Sequence, residues 1–500
     1  MENKQATLEL GTKPVGQLLR QYALPAIVAM VASSLYNMVD RIFIGQGCGA
    51  MAISGLTVTF PFMNLSGAFG AAIGVGSSTL ISVRLGQKNY SEAQNLFGNN
   101  IMLNIIIGIV FATVCLIFLD PILLLFGATE QTLQYAHEYM EVILWGNAIT
   151  HLYFGMNAVL RSASKPRQAM YATIFTVVLN TILDPIFIYT MNMGIRGAAY
   201  ATILSQFLAM CWQFYLFSDK REFLHLKRGI YHLQWKLVKG IISIGISPFS
   251  MNACSCLVVI FINNSLVHYG GDYAVGAYGI GNSVVFMFFM VSMGLNQGMQ
   301  PIAGYNYGAR KYDRMLQVLN YTMIAATITT TTGWIFCELF PGFCARLFTT
   351  DPQLIDVAKR GLRINALLMP IIGFQATITN FFQSIGKAKI SIFMSLSRQM
   401  LFLIPALLIL PLFFGVDGVW ASLPVSDGLS ALVALWFLLV YLKRFKEHRP
   451  DIMTTPSEEL TEDQRIKKEL SKKENQNTAE APRPFAPWST RTPRYSSPNS

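Results

Sequence analysis

The chain alternates between long apolar runs and short polar connections that are often basic. A run of about 20 apolar residues is long enough to cross a bilayer as a helix, and the sequence holds six such runs before residue 219 and six after residue 240. The approximate spans are 18–44, 52–83, 95–119, 136–160, 169–191 and 198–218, then 241–268, 274–307, 316–340, 362–384, 391–414 and 419–442. The pattern predicts an all-α polytopic membrane protein with twelve transmembrane helices.

Positive charges mark alternate connections between these runs. Basic residues accumulate in cytoplasmic loops of membrane proteins, and here they cluster around Lys88, Lys165, Lys236, Lys311 and Lys387. We therefore expect these loops and both termini to be cytoplasmic, with the chain a multi-pass protein of the plasma (inner) membrane. Because residues 1–16 contain no short apolar core followed by a cleavage site, we expect the first run to be a mature helix.

Two segments depart from the pattern. Arg346, Lys359, Arg360 and Arg363 fall in a connection that should be external, and we interpret that segment as an amphipathic piece lying at the membrane interface. Residues 449–500 are charged and rich in Pro and Ser. They carry too little apolar surface to fold on their own, which predicts a disordered cytoplasmic tail.

An internal repeat relates the two halves of the chain. A shift of 222 residues lays LGQKNYSEA at 85–93 on YGARKYDRM at 307–315, and a shift of 221 lays GIRG at Gly194 on GVDG at Gly415. With six spans in each copy, both halves enter the membrane in the same direction, which is the parallel type of repeat found in secondary transporters. The predicted regions are an N-terminus (1–17), a first six-helix bundle (18–218), a basic linker (219–240), a second six-helix bundle (241–442) and a cytoplasmic tail (443–500).

Composition agrees with a membrane protein and excludes several other classes. The chain is 53% hydrophobic and only 13% charged, with a mean hydropathy of +0.42, which is too apolar for a soluble protein of this length. The net charge of +11 lies in the loops, so it does not indicate nucleic acid. The seven cysteines form no C-x-x-C pair, and no metal-ligand cluster or nucleophile–base pair appears at helical spacing. We expect no enzyme activity and no cofactor.

A carboxylate inside an apolar span is the first candidate for function. Asp184 lies within NTILDPIFIY, and Asn180 precedes it by one helical turn on the same face. Ionisable groups at membrane depth are costly and usually mark a substrate or ion path. At 1.5 Å per residue from the nearest polar loops, Asp184 and Thr202 lie about 26 Å deep and Asp40 about 30 Å, so the three share a level.

Alternative interpretations of these residues remain open. At the repeat offset Asp40 corresponds to Ile262 and Asp184 to Ala406, so only the first half carries acids there, which favours function over simple helix packing. Yet Asp40 precedes Arg41 and suits an outer interface, and an Asp-Pro pair often marks a helix bend or end. His151 suits an interhelical hydrogen bond.

The second half has intramembrane polar groups of its own. They are Arg398 and Gln399 in the eleventh span and Asp427 in the twelfth. We interpret Arg398 and Asp427 as a structural ion pair.

The motifs together resemble those of one known family. LYNMVDRIFIG at 35–45, G-x-G-x-S at 74–78, RSASKPRQAM at 161–170, NTILDP at 180–185 and GIRGAAYATILSQ at 194–206 are similar to the multidrug and toxic compound extrusion (MATE) family, in its bacterial MepA-like and DNA-damage-inducible branch. The resemblance covers about residues 10–445. Another branch carries its coupling acids in the second bundle, whereas the predicted seventh and eighth spans here hold no Asp or Glu.

The resemblance implies roles for individual residues. The family's ion-coupling positions fall on Asp40, Asn180, Asp184, Ala198 and Thr202, with Asn157 adjacent, and its helix-bending proline falls on Pro25. The candidate cavity-lining residues are Tyr36, Asn37, Tyr153 and Asn157. No firm metal site follows, although Asp40, Asn180, Asp184 and Thr202 offer the hard oxygen ligands that suit Na+.

The expected function is secondary active efflux. In this hypothesis the chain exchanges amphipathic organic cations for H+ or Na+ by alternating access. We expect it to act as a monomer in contact with membrane lipids. Loss of water around a carboxylate disfavours its charged form, so protonation from outside weakens the hold on a bound cation, and deprotonation inside restores it. The rival is a lipid-linked oligosaccharide flippase of the same superfamily, which should line its cavity with Arg or Lys.

Overall fold

The computed structural model describes residues 2–446, which are helical nearly throughout and contain no strand. The long helices group into twelve segments, numbered here α1 to α12, with a broken helix keeping one number. The first half consists of α1 Val15–Cys48, α2 Ala50–Gly86, α3 Tyr90–Ile117, α4 Glu130–Trp145 with Asn147–Ser162, α5 Pro166–Pro185 continuing as Ile186–Thr190, and α6 Gly194–Leu216. The second half consists of α7 Trp235–Gly271, α8 Tyr273–Gly308, α9 Tyr312–Leu339, α10 Pro352–Ala366 with Met369–Ser384, α11 Ala388–Leu396 continuing through Ser397–Leu403 and Ile404–Phe414, and α12 Val416–Lys446.

Length and composition make most of these segments membrane spans. Among the described residues, eight helices are each long and apolar enough to cross a bilayer, and the two pieces of α10, bent by 47°, make a ninth when taken together. Of the remaining three, α6 and α9 are long but less apolar, and α4 is broken at Gly146 into two shorter helices. The predicted class, an all-α polytopic membrane protein, is confirmed.

Backbone geometry repeats at the offset that the sequence predicts. Left-handed φ angles, which are uncommon for residues other than glycine, recur at equivalent turns of the two halves. The pairs are Gly49 and Gly271 (85° and 62°), Lys88 and Arg310 (60° and 57°), Ser164 and Gly386 (64° and 75°), and, at the shift of 221, Gly194 and Gly415 (57° and 56°). The short helices Leu119–Leu125 and Pro341–Arg346 also correspond. The two halves therefore share one fold.

The two halves share one hydrophobic core at one end of the molecule and have separate cores toward the other. The end that holds the turns at Lys88, Ser164, Arg310 and Gly386 is called here the basic end, and the opposite one the distal end. A single hydrophobic core at the basic end contains residues of both halves. Toward the distal end, one core belongs to the first half alone and others to the second half alone. The interface between the halves is thus closed at the basic end.

Two glycines at equivalent positions allow this closure. A Cβ at Gly86 would lie 2.0 Å from the carbonyl oxygen of Tyr305, and a Cβ at Gly308 would lie 2.0 Å from that of Val83. No side chain fits at such distances, so α2 and α8 cross with their backbones in contact. The sequence-level match of Gly86 to Gly308 reflects this crossing.

The predicted amphipathic segment at the distal end is a helix. Lys359, Arg360 and Arg363 lie on the first part of α10, which begins at Pro352 rather than near 362. Its apolar side is buried, and Gly361 lies against Trp420. The basic side chains are neutralised by acids, because Arg360 pairs with Asp417, Arg363 with Glu338 and Lys359 with Asp356. The predicted disordered tail lies, beyond Lys446, outside the described residues.

Candidate functional site

Two buried carboxylates meet inside the first half. Asp40 on α1 and Asp184 on α5 lie within hydrogen-bonding reach of each other, and the two residues are only 6% and 0% exposed. A hydrogen bond between two carboxyl groups needs a proton on one of them, because an ionised carboxylate only accepts. The pair predicted from depth along the helices is thus formed in the structure.

Local sequence explains how α5 presents its acid. Asn180 and Asp184 are four residues apart, so they lie on one helical face. Pro185 lacks the N–H that would continue the helical ladder, and the backbone passes directly into a π-helical turn at Ile186–Thr190. The Asp-Pro pair therefore marks a local change of helix geometry rather than the end of the helix.

Asn180 connects the acid pair to α6. The side-chain amide of Asn180 is oriented so that both its nitrogen and its oxygen have hydrogen-bond partners. The nitrogen donates to Asp184 Oδ2 at 2.9 Å, and the oxygen accepts from the Thr202 backbone N–H at 2.9 Å. The Thr202 hydroxyl donates to the carbonyl of Ala198 at 3.1 Å. Four of the predicted coupling residues are thereby linked to one another, and Asp40 joins them through Asp184.

Two tyrosines complete the cluster around Thr202. Because the Thr202 hydroxyl donates to Ala198, the Tyr36 hydroxyl, 3.2 Å from Thr202 Oγ1, acts as the donor to it. Tyr139 on α4 is buried near Thr202 and the two acids. Sequence reasoning missed Tyr139, since it carries no charge and stands in no motif. The signal available was its position on the amphipathic first part of α4, where a polar tip on a buried face needs a partner.

The cluster has unused acceptors. One oxygen of each acid, Oδ1 of Asp40 and Oδ1 of Asp184, is buried and has no hydrogen-bond partner. Buried acceptors without partners are rare in proteins. The two oxygen atoms therefore indicate a ligand that binds to the acids and dissociates from them. A proton fits, and so does Na+, because carboxylate, amide and hydroxyl oxygens are hard ligands. The described residues contain no group of three or more His, Cys, Asp or Glu that could hold a metal ion.

Other predicted residues lie elsewhere. Asn157 donates to the carbonyl of Ala169 at 3.0 Å and Tyr153 to Thr173 at 3.5 Å, and Thr173 precedes Asp184 by about 16 Å along α5. Asn157 is therefore not adjacent to the acid pair, contrary to the expectation. Asn37 is exposed and donates to the carbonyl of Ser33. Pro25 lies inside α1, as predicted.

Three other polar groups noted in the sequence make contacts between helices, and those of His151 and Arg398 are the ones expected. His151 Nε2 lies 2.9 Å from the carbonyl of Ser66 on α2, which is an interhelical hydrogen bond. Arg398 Nε donates to Asp427 Oδ1 at 2.8 Å and joins α11 to α12. Gln399 donates to the carbonyl of Met251 on α7 at 3.0 Å.

Comparison with known proteins agrees with this fold. The family model described as MatE matches residues 25–186 and 248–408, one stretch in each half. The multidrug export protein MepA of Staphylococcus aureus strain MSSA476 is 28% identical over 449 residues, covering 90% of this chain and 97% of that protein. MepA of Staphylococcus haemolyticus is 27% identical over 420 residues, covering 84% and 92%.

A solved structure has the same fold. It is described as the outward-facing conformation of a multidrug resistance MATE family transporter of the MOP superfamily, and it superposes with a TM-score of 0.83 at 23% identity, covering 88% of this chain and 98% of that one.

Proposed function

The chain belongs to the MatE (multidrug and toxic compound extrusion) family of membrane transporters, and we propose that it exports amphipathic organic cations in exchange for H+ or Na+. The observation that carries the proposal is the buried pair of Asp40 and Asp184, in which Oδ1 of each acid receives no hydrogen bond from an N–H or hydroxyl donor. Two carboxyl groups at membrane depth with unused acceptors suit an ion that binds and leaves in each cycle.

Competition for this cluster couples the ion to the substrate. When the pair is deprotonated and free of metal ions, two negative charges in a poorly solvated site attract an organic cation strongly. Uptake of H+ or Na+ removes that charge, and the cation is released. Asn180 holds Asp184 and is itself bonded to Thr202, which also contacts Tyr36. The ion therefore meets a preorganised set of oxygens.

The shape of the interface between the halves supports alternating access. The halves share a core at the basic end and have separate cores toward the distal end. If the basic end is cytoplasmic, as the positive-inside rule predicts, this arrangement is an outward-facing one. Export then requires α2 and α8 to part at the Gly86 and Gly308 crossing while the distal ends approach each other.

The proposal is tested in proteoliposomes loaded with the cationic dye rhodamine 123. A pH gradient, a Na+ gradient or neither is imposed, and dye movement is followed by fluorescence. We expect at least one of the two gradients to accelerate dye movement in the direction opposite to the flow of H+ or Na+. Equal rates in all three conditions would overturn ion-coupled antiport. The flippase alternative is not favoured by the acidic cluster or by relatives named multidrug export proteins.

A further inference from the structure

The second half contains a small cavity, lined by apolar surface and a few polar groups, that the proposed coupling cycle does not use. It lies within the second bundle and has contributions from α7, α8, α10 and α11. The lining residues used below are Met251, Phe289, Met293, Gln375, Arg398 and Gln399. The cavity has room for about one water-sized group, which is enough for the end of a ligand and too little for a whole amphipathic molecule.

Backbone geometry sets this cavity apart from ordinary helix packing. Arg398 and Gln399 lie in a π-helical turn, Ser397–Leu403, in the middle of α11. Such turns occur frequently at functional sites. The helix related to α11 by the repeat is α5, whose own π-helical turn, Ile186–Thr190, directly follows Asp184 and Pro185. The fifth span of each half therefore carries a buried or half-buried charge beside or within a π-helical turn, and these two charges, which are not at equivalent positions of the repeat, have opposite signs.

Arg398 is held in place by hydrogen bonds that use only part of its guanidinium group. Its Nε donates to Asp427 at 2.8 Å, and its backbone carbonyl accepts from Ser426 at 2.6 Å. The Asp427 side chain is only 7% exposed, whereas that of Arg398 is 26% exposed. Among residues 2–446, no acceptor contacts its two terminal nitrogens, and the side chain lines the cavity. Asp427 thus orients the guanidinium and leaves its outer N–H groups to face the space.

The cavity combines an oriented cation with soft apolar walls. A guanidinium recognises carboxylates well, because its planar N–H groups match their two oxygens. Gln375 and Gln399 are buried beside it and add amide groups, while Met251, Met293 and Phe289 offer thioether and aromatic surface that adapts to varied shapes.

We propose that this cavity is a second ligand subsite, which takes the carboxylate of zwitterionic amphiphiles through the terminal nitrogens of Arg398. The inference rests on the proposed export function and adds to it a site for the anionic group of a substrate. The acidic cluster of the first half attracts the cationic group of a substrate. The Arg398 cavity binds the anionic group, either at a different stage of the transport cycle or in a different orientation of the substrate. Asp427 acts as a positioning residue.

The test uses two dyes that differ in one group. Rhodamine 110 carries a free carboxylate, and rhodamine 123 is its methyl ester. Binding of each dye to the purified full chain in lipid nanodiscs is measured by fluorescence anisotropy. We expect Arg398→Gln to weaken rhodamine 110 binding roughly tenfold, the loss expected for one charge-assisted hydrogen bond, and to change rhodamine 123 binding less than twofold.

Two further variants separate recognition from structural support. Asp427→Asn leaves the guanidinium in place, so rhodamine 110 should bind as well as before or better. The double variant Arg398→Gln with Asp427→Asn removes both charges and avoids a buried unpaired acid, and it should again lose only the carboxylate dye. A purely structural pair predicts that every variant weakens both dyes equally.

Several results would overturn the subsite. Equal losses for both dyes, unchanged rhodamine 110 binding in the double variant, or no binding of rhodamine 110 to the wild-type chain would each do so. None of these results bears on gradient-driven movement of rhodamine 123, so the proposed export function stands or falls separately.

Discussion

Replacing Asp184 with Asn separates coupling from folding. Asp184→Asn keeps the volume of the side chain, and its carbonyl oxygen can still accept the 2.9 Å bond from Asn180, while its NH2 group can donate to Asp40. The substitution should therefore lower the free energy of unfolding by only about 1 kcal/mol, which is the contribution of one ordinary hydrogen bond. The amide cannot titrate, however, so a coupling cycle that needs a change of charge at this position must stop.

The assay follows rhodamine 123 in proteoliposomes at matched protein content. We expect imposed gradients to accelerate dye movement in the wild-type chain and to have no effect on the Asp184→Asn variant, whose thermal unfolding in detergent stays close to that of the wild type. The reasoning is refuted if the variant responds to gradients as the wild type does. It is also refuted if the loss is fully explained by poor expression and aggregation, since the acid would then serve only to hold the helices.

Asp427→Asn is the matched control in the second half. It also turns a buried acid into an amide, but it leaves the charge of Arg398 without its partner, and bonds to charged groups are worth about 2 kcal/mol. We expect a larger loss of stability than for Asp184→Asn together with preserved gradient-driven movement of rhodamine 123. A stable variant that has lost coupling would contradict the division of roles between the two halves.

Three further predictions concern the surroundings of the site. Tyr139→Phe removes the polar hydroxyl that lies near Thr202 and the acids, and it should reduce coupled dye movement about fivefold. Tyr135→Phe on the same helix should not, and equal effects would exclude a specific role for Tyr139. Gly86→Ala places a methyl group 2.0 Å from a backbone oxygen, so the distances between spin labels on α2 and α8 at the basic end should increase. Gly279→Ala is the control, because no atom lies within 4 Å of the added methyl group, and it should leave these distances unchanged. Unchanged distances in Gly86→Ala would contradict the close crossing. A cysteine at Lys88 should react with a membrane-impermeant reagent only from the cytoplasmic side, and labelling from outside would reverse the predicted topology.

The helices and the repeat follow from the sequence for clear reasons. Apolar runs of sufficient length have few alternatives to a membrane helix. The loop motifs that match at a shift of 222 carry left-handed backbone at the same positions, such as Lys88 and Arg310. A tight turn constrains both sequence and geometry, so the repeat is visible in each.

The site is only partly visible in the sequence. Asp40 and Asp184 stand out because charge is rare at membrane depth, and counting residues places them at one level. Tyr139 cannot be selected in this way, since a buried tyrosine is compatible with ordinary packing. Asn157 lies one turn from Arg161, near a basic loop, and its placement beside the acids came from the resemblance rather than from depth.

Long-range pairing explains the basic residues at the distal end. Arg360 and Arg363 at the distal end look anomalous in sequence because their partners, Asp417 and Glu338, lie on other helices. A local pattern of basic residues on an amphipathic helix suggests a membrane surface, and only the packing of α10 against its neighbours shows that these charges are paired.

The most direct test of the central claim is whether the coupling ion and the organic cation compete through Asp184. Rhodamine 123 binding to the purified chain is titrated over a range of pH values and, separately, of Na+ concentrations, for the wild type and for Asp184→Asn. We predict that protons or Na+ weaken dye binding to the wild type and that this dependence disappears in the variant. Dye binding that ignores both ions in the wild type, or a dependence that persists unchanged in Asp184→Asn, would contradict the account.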